Sequence, residues 1–297
     1  MWNLTGRQGC RPLHFMWTKG EVCGKITYEV IAMKNYKMTI EYDGTRYQGW
    51  QRLKDADKSI QGKIEDVLSK MCSHKVEIHG SGRTDAGVHA KGQVASFKIE
   101  TDMSLSEIMD YMNTYLPEDI AVTNLCEADE RFHARLTKCR KTYLYRINNS
   151  NISNVFERKY VYNVPERLNI DEMKKAVSYL IGEHDFVGFS SLKKVKKSTV
   201  RTIYECRVES AECRISANAT AESDGIYKGA NGEVDIYITG DGFLYNMVRI
   251  IAGTLIEIGK GERKAEDILK VLEGKNREAA GFTAPAQGLT LYEVEYE

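Results

Sequence analysis

Hydrophobic and polar residues alternate along residues 37–42, a pattern typical of a half-buried β-strand. Residues 60–71 instead place hydrophobic side chains at helical spacing, which predicts an amphipathic α-helix. In order along the first half, the patterns predict strand 37–42, helix 60–71, strands 75–79 and 93–98, a helix after the capping-box pair Ser104 and Glu107, and strand 120–126. The predicted order is therefore β-α-β-β-α-β.

The second half has the same order of predicted elements, although no repeated sequence is visible. Its patterns predict strand 142–147, helix 170–181, strands 203–208 and 234–239, helices 247–258 and 265–272, and strand 291–296. A split β-α-β unit used twice predicts an α+β fold with two ferredoxin-like lobes, residues 33–140 and 141–297. Each lobe is expected to carry an antiparallel sheet, with a cleft between the lobes that suits a ligand.

Two segments fall outside this pattern. Residues 1–32 have no apolar periodicity, and we expect them to be a poorly ordered, dispensable N-terminal extension. Residues 209–233 lie between two predicted strands and are polar and rich in Ala, Ser, Asn and Gly, which predicts an exposed insertion.

Composition excludes several classes of protein. The 42 Lys and Arg residues balance the 42 Asp and Glu residues, and the hydrophobic fraction of 42% is ordinary for a globular protein. No apolar run approaches the ~18 residues of a membrane span. None of the seven cysteines forms a Cys-x-x-Cys pair, so the sequence predicts no metal site of that kind. Without a signal-peptide pattern, we expect a cytoplasmic protein with free thiols.

Residues 80–90 join two predicted strands and carry the first candidate chemistry. Three glycines shape this segment, which presents Arg83, Asp85 and His89. Ordinary hairpin loops have roughly 2–5 residues, so a connection about twice as long is typical of a functional site. An Asx-turn, in which Asp85 bonds only to its own backbone, fits the composition equally well.

Arg249 is the second candidate, because it lies in an otherwise apolar helical segment. An unpaired guanidinium in such surroundings costs several kcal/mol, so the pattern predicts a carboxylate partner. The alternative is that Arg249 lies on the solvent-exposed edge of its helix.

Residues 131–146 contain no acidic residue and combine basic side chains, among them Arg131 and Arg135, with aromatic ones, among them Tyr143. Phosphate neutralisation together with stacking on exposed bases is how proteins bind RNA. A second acid-free basic stretch, residues 193–197, precedes Arg201. Each stretch alone is also typical of a solvated face.

These segments belong to a longer series of motifs. The series comprises Glu41-Tyr-Asp-Gly-Thr45, Gly49-Trp-Gln51, Gly82-Arg-Thr-Asp-Ala-Gly-Val-His-Ala90, Leu116-Pro-x-Asp-Ile-Ala-Val122, Arg131-Phe-His-Ala-Arg135, Lys141-Thr-Tyr-x-Tyr-Arg146, Gly182-Glu-His-Asp-Phe186, Asn246-Met-Val-Arg249, Ala284-Pro-Ala286 and Gly288-Leu289. In this order the motifs resemble the tRNA pseudouridine synthase A (TruA) family from about Tyr36 to Tyr296. Ser96 departs from the family, which often has His there, and residues 1–32 have no family counterpart.

The resemblance implies a function and roles for individual residues. Members isomerise uridine to pseudouridine at positions 38–40 of the tRNA anticodon arm, act as homodimers with two ferredoxin-like lobes, and need no cofactor. Asp85 matches the catalytic nucleophile, Arg249 the arginine paired with it, and Tyr143 the active-site tyrosine. We expect the remaining substrate contacts to come from Arg83, His89, Arg131 and Arg135.

The chemistry agrees with one acidic residue in the motif. Isomerisation is redox-neutral and consumes no water, so a single ionised carboxylate acting at the sugar suffices. A glycosidase needs two carboxyl groups. Two alternatives stay open: an RNA-binding module without catalysis, and a nucleoside hydrolase that uses Asp43 or Asp185 as its second acid.

Overall fold

The computed structural model describes residues 32–52, 58–192, 194, 197–211 and 232–297. Its α-helices are α1 Ile60–Cys72, α2 Leu105–Tyr115, α3 Ile170–Ser178, α4 Met247–Gly259 and α5 Asp267–Gly274. Its strands are β1 Lys34–Tyr42, β2 His79–Gly80, β3 His89–Ile99, β4 Ile120–Glu127, β5 Cys139–Asn149, β6 Tyr162–Asn163, β7 Gly182–Asp185, β8 Val200–Ala211, β9 Gly232–Gly240 and β10 Leu289–Tyr296. The N-terminal extension expected at 1–32 lies outside the described residues except for Ala32, and the insertion expected at 209–233 lies outside them except for its ends, which belong to β8 and β9. Lys193, Val195 and Lys196 of the second basic stretch are also outside the described residues.

One large sheet runs through the described part of the chain in the order β4-β1-β3-β10-β5-β9-β8-β7, with β2 beside β3 and β6 beside β5. The mixed α+β class predicted from sequence is confirmed, but the expectation of a separate antiparallel sheet in each half is wrong. The reason is β10, the last strand, which pairs with β3 in parallel and with β5 antiparallel. It thereby satisfies the backbone groups at what would otherwise be two open edges. Residues 32–297 form a single compact unit.

The strand β10 also sets the register between the two halves. Leu291 pairs with Ala90 of β3 on one side and with Tyr143 of β5 on the other. The segment that ends the 80–90 motif is therefore held level with the strand that carries the predicted active-site tyrosine.

Helix packing follows the predicted hydrophobic faces. Helix α1 buries Ile60, Ile64 and Leu68, and α2 buries Ile108 and Met112 in the same core. The predicted capping box is present, because the Ser104 hydroxyl accepts from the Glu107 N–H while the Glu107 carboxylate accepts from the Ser104 N–H. Helix α4 is buried along almost its whole length, as its apolar sequence indicates.

The predicted strand at 75–79 is mostly absent, since only His79 and Gly80 pair with β3. Side chains of α1 instead accept hydrogen bonds from the backbone N–H groups of this segment. The Ser69 hydroxyl accepts from the Val76 N–H at 2.9 Å, and the Glu65 carboxylate accepts from the Ile78 N–H at 3.1 Å. The backbone is thus satisfied without a strand partner, which local alternation does not reveal.

Candidate active site

We call residues 81–88, between β2 and β3, the Asp85 loop. The last residue of β1 and residues 49–50 hold this loop from one side. The Trp50 N–H donates to the Thr84 carbonyl at 3.0 Å, and the Tyr42 and Thr84 hydroxyls lie 2.8 Å apart. Gly49 adopts φ +99°, and a Cβ there would lie 2.6 Å from the Thr84 oxygen. A glycine is therefore required for the chain to approach the loop this closely.

The other side of the Asp85 loop is held by β3 and β5. The Gln93 amide oxygen accepts from the Ser81 hydroxyl at 2.7 Å, and its nitrogen donates to the Gly82 carbonyl at 3.1 Å. Lys141 on β5 donates from Nζ to the Ser81 carbonyl at 2.8 Å. The loop is thus held by hydrogen bonds from both halves of the chain.

The Asp85 carboxylate is half-buried, and no group in the described part of the chain hydrogen-bonds to it. Only its backbone carbonyl has a partner, the Val88 N–H at 3.2 Å, so the Asx-turn interpretation is wrong. Burial raises the pKa of Asp85 above its ordinary value, and the positive charge of Arg249 opposes the rise without cancelling it. Arg249 therefore acts in the direction that favours the ionised carboxylate, but burial has the larger effect on this pKa.

Arg249 is satisfied by neutral groups and not by a carboxylate. Its Nε donates to the Ala284 carbonyl at 2.7 Å and its Nη1 donates to the Asn246 amide oxygen at 3.1 Å. No ion pair joins Arg249 to Asp85, both of which are described, although the Arg249 charge acts on the Asp85 carboxylate. The two side chains do line one cavity of about 40 Å³, together with Tyr143 and Leu289.

Tyr143 is buried on β5 and completes this cavity. Its ring meets Phe243 edge to face, with ring centroids 5.1 Å apart. Within the described residues its hydroxyl has no hydrogen-bond partner. Burial, and to a lesser extent the charges of Tyr42 and Asp85, raise its pKa above the usual tyrosine value, so the phenol is neutral. The structure therefore brings Asp85, Tyr143 and Arg249 together, as the motifs indicated.

A larger cavity of about 1000 Å³, the basic cleft, opens in front of the Asp85 loop. Its cations are Arg83, Arg135, Lys141 and Arg201, its aromatic side chains are Phe243 and Tyr245, and its carboxylates are Asp85 and Asp241. Burial lowers the pKa of Lys141, and the nearby Arg135 and Arg201 charges act in the same direction. Four cations around one exposed aromatic ring, Tyr245, give the cleft the means to bind a polyanion that carries bases.

Two of the predicted substrate contacts lie elsewhere. Arg131 is exposed and does not line the basic cleft, and its backbone N–H binds the Asp129 carboxylate. His89 is buried and lines a second cavity, of about 420 Å³, with Asp43 and Tyr160. The pattern of residues 131–146 identified the basic face but not which cations reach the cleft.

The acids considered for a hydrolase are also placed away from Asp85. Asp43 accepts hydrogen bonds from Thr45 and Tyr160, and Asp185 pairs with Lys275 at 2.9 Å. Asp241 is the cleft carboxylate that the motif analysis missed, and its side chain accepts from the Thr202 N–H at 3.1 Å. Its position two residues after the predicted strand 234–239 was the available signal, since site residues often follow strand ends.

Among the described residues there is neither a candidate metal site nor a candidate membrane span. These residues contain no group of three or more His, Cys, Asp or Glu side chains placed to hold a metal ion. None of their helices is both long and apolar enough to cross a bilayer.

Comparison with known proteins gives consistent results. The profile of a family described as tRNA pseudouridine synthase matches residues 38–136 and 176–297, which include Asp85 and Arg249 but not Tyr143. A Bacillus sp. (strain KSM-64) protein named tRNA pseudouridine synthase A is 47% identical over 264 residues, 89% of this chain and 100% of that protein. Proteins named tRNA pseudouridine synthase A 2 from Bacillus anthracis and tRNA pseudouridine synthase A 1 from Clostridium tetani are each 46% identical with the same coverage.

Proposed function

The chain belongs to the tRNA pseudouridine synthase family, and from this premise we propose that Asp85 is the residue with which it isomerises uridine to pseudouridine in tRNA. The observation that carries the proposal is a half-buried carboxylate without a hydrogen-bond partner, which lines the same cleft as four cations. An unpaired carboxylate whose pKa is raised by burial is more basic and more nucleophilic than one in water.

The reaction breaks the bond from N1 of uracil to C1′ of the ribose, turns the base and joins C5 to C1′. Asp85 acts at the sugar, either by attacking C1′ or by taking the C2′ proton, and it is regenerated when the new bond forms. The proton on C5 is then lost while N1 gains one, and on the C2′ route the proton taken by Asp85 returns to C2′, so atoms and charge balance without water or an oxidant. The Arg249 charge, held near Asp85 by Ala284 and Asn246, favours the ionised carboxylate at neutral pH.

A base inside an RNA stem cannot reach Asp85 unless it leaves the stack. Arg83 is exposed two residues before Asp85, where its side chain can occupy the vacated position. Tyr143 and Phe243 provide a rigid aromatic corner for the displaced uracil.

We assign the target to positions 38–40 of the anticodon arm, in keeping with the motif resemblance. The two-lobe division at residue 140 and a cytoplasmic location belong to the same proposal.

The direct test is to incubate the protein with unmodified tRNA transcripts and map modified positions. Pseudouridine at positions 38–40 is the expected product, formed with no added metal or cofactor. Free uracil with an abasic site would indicate the hydrolase, and tight tRNA binding without any product would indicate an RNA-binding module. Either outcome would replace the isomerase assignment.

Self-association as a homodimer is a further part of the proposal, and one loop supports it. Ile152, Val155 and Phe156 are 50%, 64% and 92% exposed, an apolar patch that a monomer leaves in water. The loop is held by an ion pair between Glu157 and Arg146 at 2.7 Å.

We therefore expect Phe156→Ser to shift the protein towards monomer. Sedimentation equilibrium at micromolar concentrations would measure the change in dimer dissociation constant, and a weakening of about tenfold or more is expected for loss of a buried aromatic anchor. Tyr115→Ser is the matched control, because Tyr115 is 62% exposed on α2. If both variants weakened the dimer equally, or if neither weakened it, this loop would not belong to the interface.

A further inference from the structure

His89 directly follows the Asp85 loop but lines the second cavity and not the basic cleft. His89 is 3% exposed and is the first residue of β3. Its Nδ1 accepts a hydrogen bond from the Gly44 N–H at 3.1 Å and lies 3.2 Å from the Asp43 carboxylate. Its Nε2 lies 3.0 Å from the Lys159 carbonyl. Both ring nitrogens are thus engaged by protein groups.

These partners favour a neutral ring with its proton on Nε2. The Gly44 N–H only donates and needs an unprotonated Nδ1, and the Lys159 carbonyl only accepts and needs a proton on Nε2, whereas the Asp43 carboxylate beside Nδ1 acts against this tautomer. Burial lowers the pKa of His89, with Asp43 opposing, which agrees with a neutral ring. In this form His89 links the turn after β1 to residues 158–161 in the second half of the chain, here called the Lys159 segment. The Tyr160 ring packs edge-on against the His89 ring, with the ring centroids 5.0 Å apart.

The Lys159 segment is itself fixed to the region that precedes β10. Gln287 donates from its amide to the Arg158 carbonyl at 3.3 Å and to the Val161 carbonyl at 3.0 Å. Two residues later, Leu289 lines the cavity that holds Asp85, Tyr143 and Arg249. His89 itself pairs with Thr290 of β10.

The turn after β1 packs tightly against the Asp85 loop. A Cβ on Gly44 would lie 2.0 Å from the Val88 carbonyl oxygen, so the turn and the last residue of the Asp85 loop are in direct backbone contact. A shift of His89 would therefore displace the turn and the loop together.

We propose that His89 is a positioning residue that bonds the end of the Asp85 loop to the Lys159 segment and thereby sets where Asp85 stands relative to Tyr143 and Arg249. This inference rests on the proposed function, because only the reaction requires that alignment. It replaces the expectation that His89 contacts the substrate.

Two substitutions of similar size separate the two hydrogen bonds of His89. In His89→Asn the amide oxygen can still accept from the Gly44 N–H, but the side chain is too short to reach the Lys159 carbonyl. In His89→Gln an amide donor extends towards that carbonyl. If the link to the second half matters, Gln retains function and Asn loses it.

The measurements are the single-turnover rate of pseudouridine formation on unmodified tRNA, the tRNA dissociation constant, and amide hydrogen exchange of residues 84–88 in the free protein. For His89→Asn we expect the rate to fall on the order of 100-fold, as for a small misplacement of a reacting group, at near-normal tRNA affinity. Its loop amides should exchange about tenfold faster. His89→Gln should stay within about fivefold of wild type in all three.

Gln287→Leu is a second variant in case His89→Asn does not fold. Gln287 is exposed, and its replacement loosens the Lys159 segment without touching the core. Gln287→Leu should also lower the single-turnover rate and speed up exchange of the loop amides, each by a smaller factor than His89→Asn. Unchanged loop exchange in both variants, or weakened tRNA binding at an unchanged rate, would overturn the inference. A wild-type protein that forms no pseudouridine would refute the proposed function instead, since the exchange measurement needs no substrate.

Discussion

Asp85→Asn is expected to lower the single-turnover rate of pseudouridine formation by ~10⁴-fold or more, as loss of a covalent or basic catalyst does. The amide has nearly the same shape but is neither nucleophilic nor basic. Binding of tRNA should change little, because affinity rests on phosphate contacts spread over the cations of the basic cleft. Rates and dissociation constants measured on the same tRNA transcript check both statements.

Stability provides the control for this variant. Burial raises the pKa of Asp85 in the folded protein, so the ionised form is disfavoured there. A raised carboxyl pKa contributes stability below the unfolded pKa and loses it as pH rises through the folded pKa. Replacing the charge by a neutral amide should therefore leave the melting temperature at pH 7 unchanged or higher. Near-normal turnover in Asp85→Asn would falsify the assigned role of this residue.

The second large effect is expected for Arg249→Met, which removes the charge near Asp85 but keeps most of the side-chain volume in the helix. The rate at neutral pH should fall on the order of 100-fold, the scale for losing one preorganised electrostatic group. Because Arg249 is the influence that lowers the Asp85 pKa, its loss should move the acid limb of the pH–rate profile to higher pH. Part of the lost rate should return in alkaline buffer.

Arg201→Met is the matched control, because Arg201 lines the basic cleft away from the small cavity. That variant should weaken tRNA binding and reduce the salt slope by about one unit. The Arg249 variant should leave the salt slope unchanged. Combining Arg249→Met with Asp85→Asn should cost little more rate than Asp85→Asn alone, since the two groups act as a unit. An additive double variant, or a smaller salt slope in Arg249→Met, would move Arg249 to the RNA-binding surface.

Several features of the fold were predictable because they depend on neighbouring residues. The Ser104 and Glu107 capping box, the alternating strand β1 and the apolar helix α4 all appear where the patterns indicated. Each is decided by contacts within one turn or one strand, or by burial of the hydrophobic face of a single element. The missing strand at 75–79 shows the limit, since Ser69 and Glu65 reach it from another element.

The candidate site was predictable only in part, and Arg249 shows why. An arginine among apolar neighbours needs hydrogen-bond acceptors, and that requirement is visible in the chain. The identity of the acceptors is not, because the Ala284 carbonyl is 35 residues away and reaches Arg249 only after the tertiary fold forms. The same holds for His89, whose motif neighbours line the cleft while its own ring faces Lys159.

By itself, the sequence determined the order of elements, the helix starts and the motif that singles out Asp85, because propensity, capping and motif spacing act over short distances. The tertiary structure alone decided that β10 joins the two halves into one sheet and that Arg83, Arg135, Lys141 and Arg201 are the cations of the cleft. It also decided that burial outweighs Arg249 in setting the Asp85 pKa. These outcomes depend on which distant groups become neighbours and on how much water is excluded between them, and both are properties of packing.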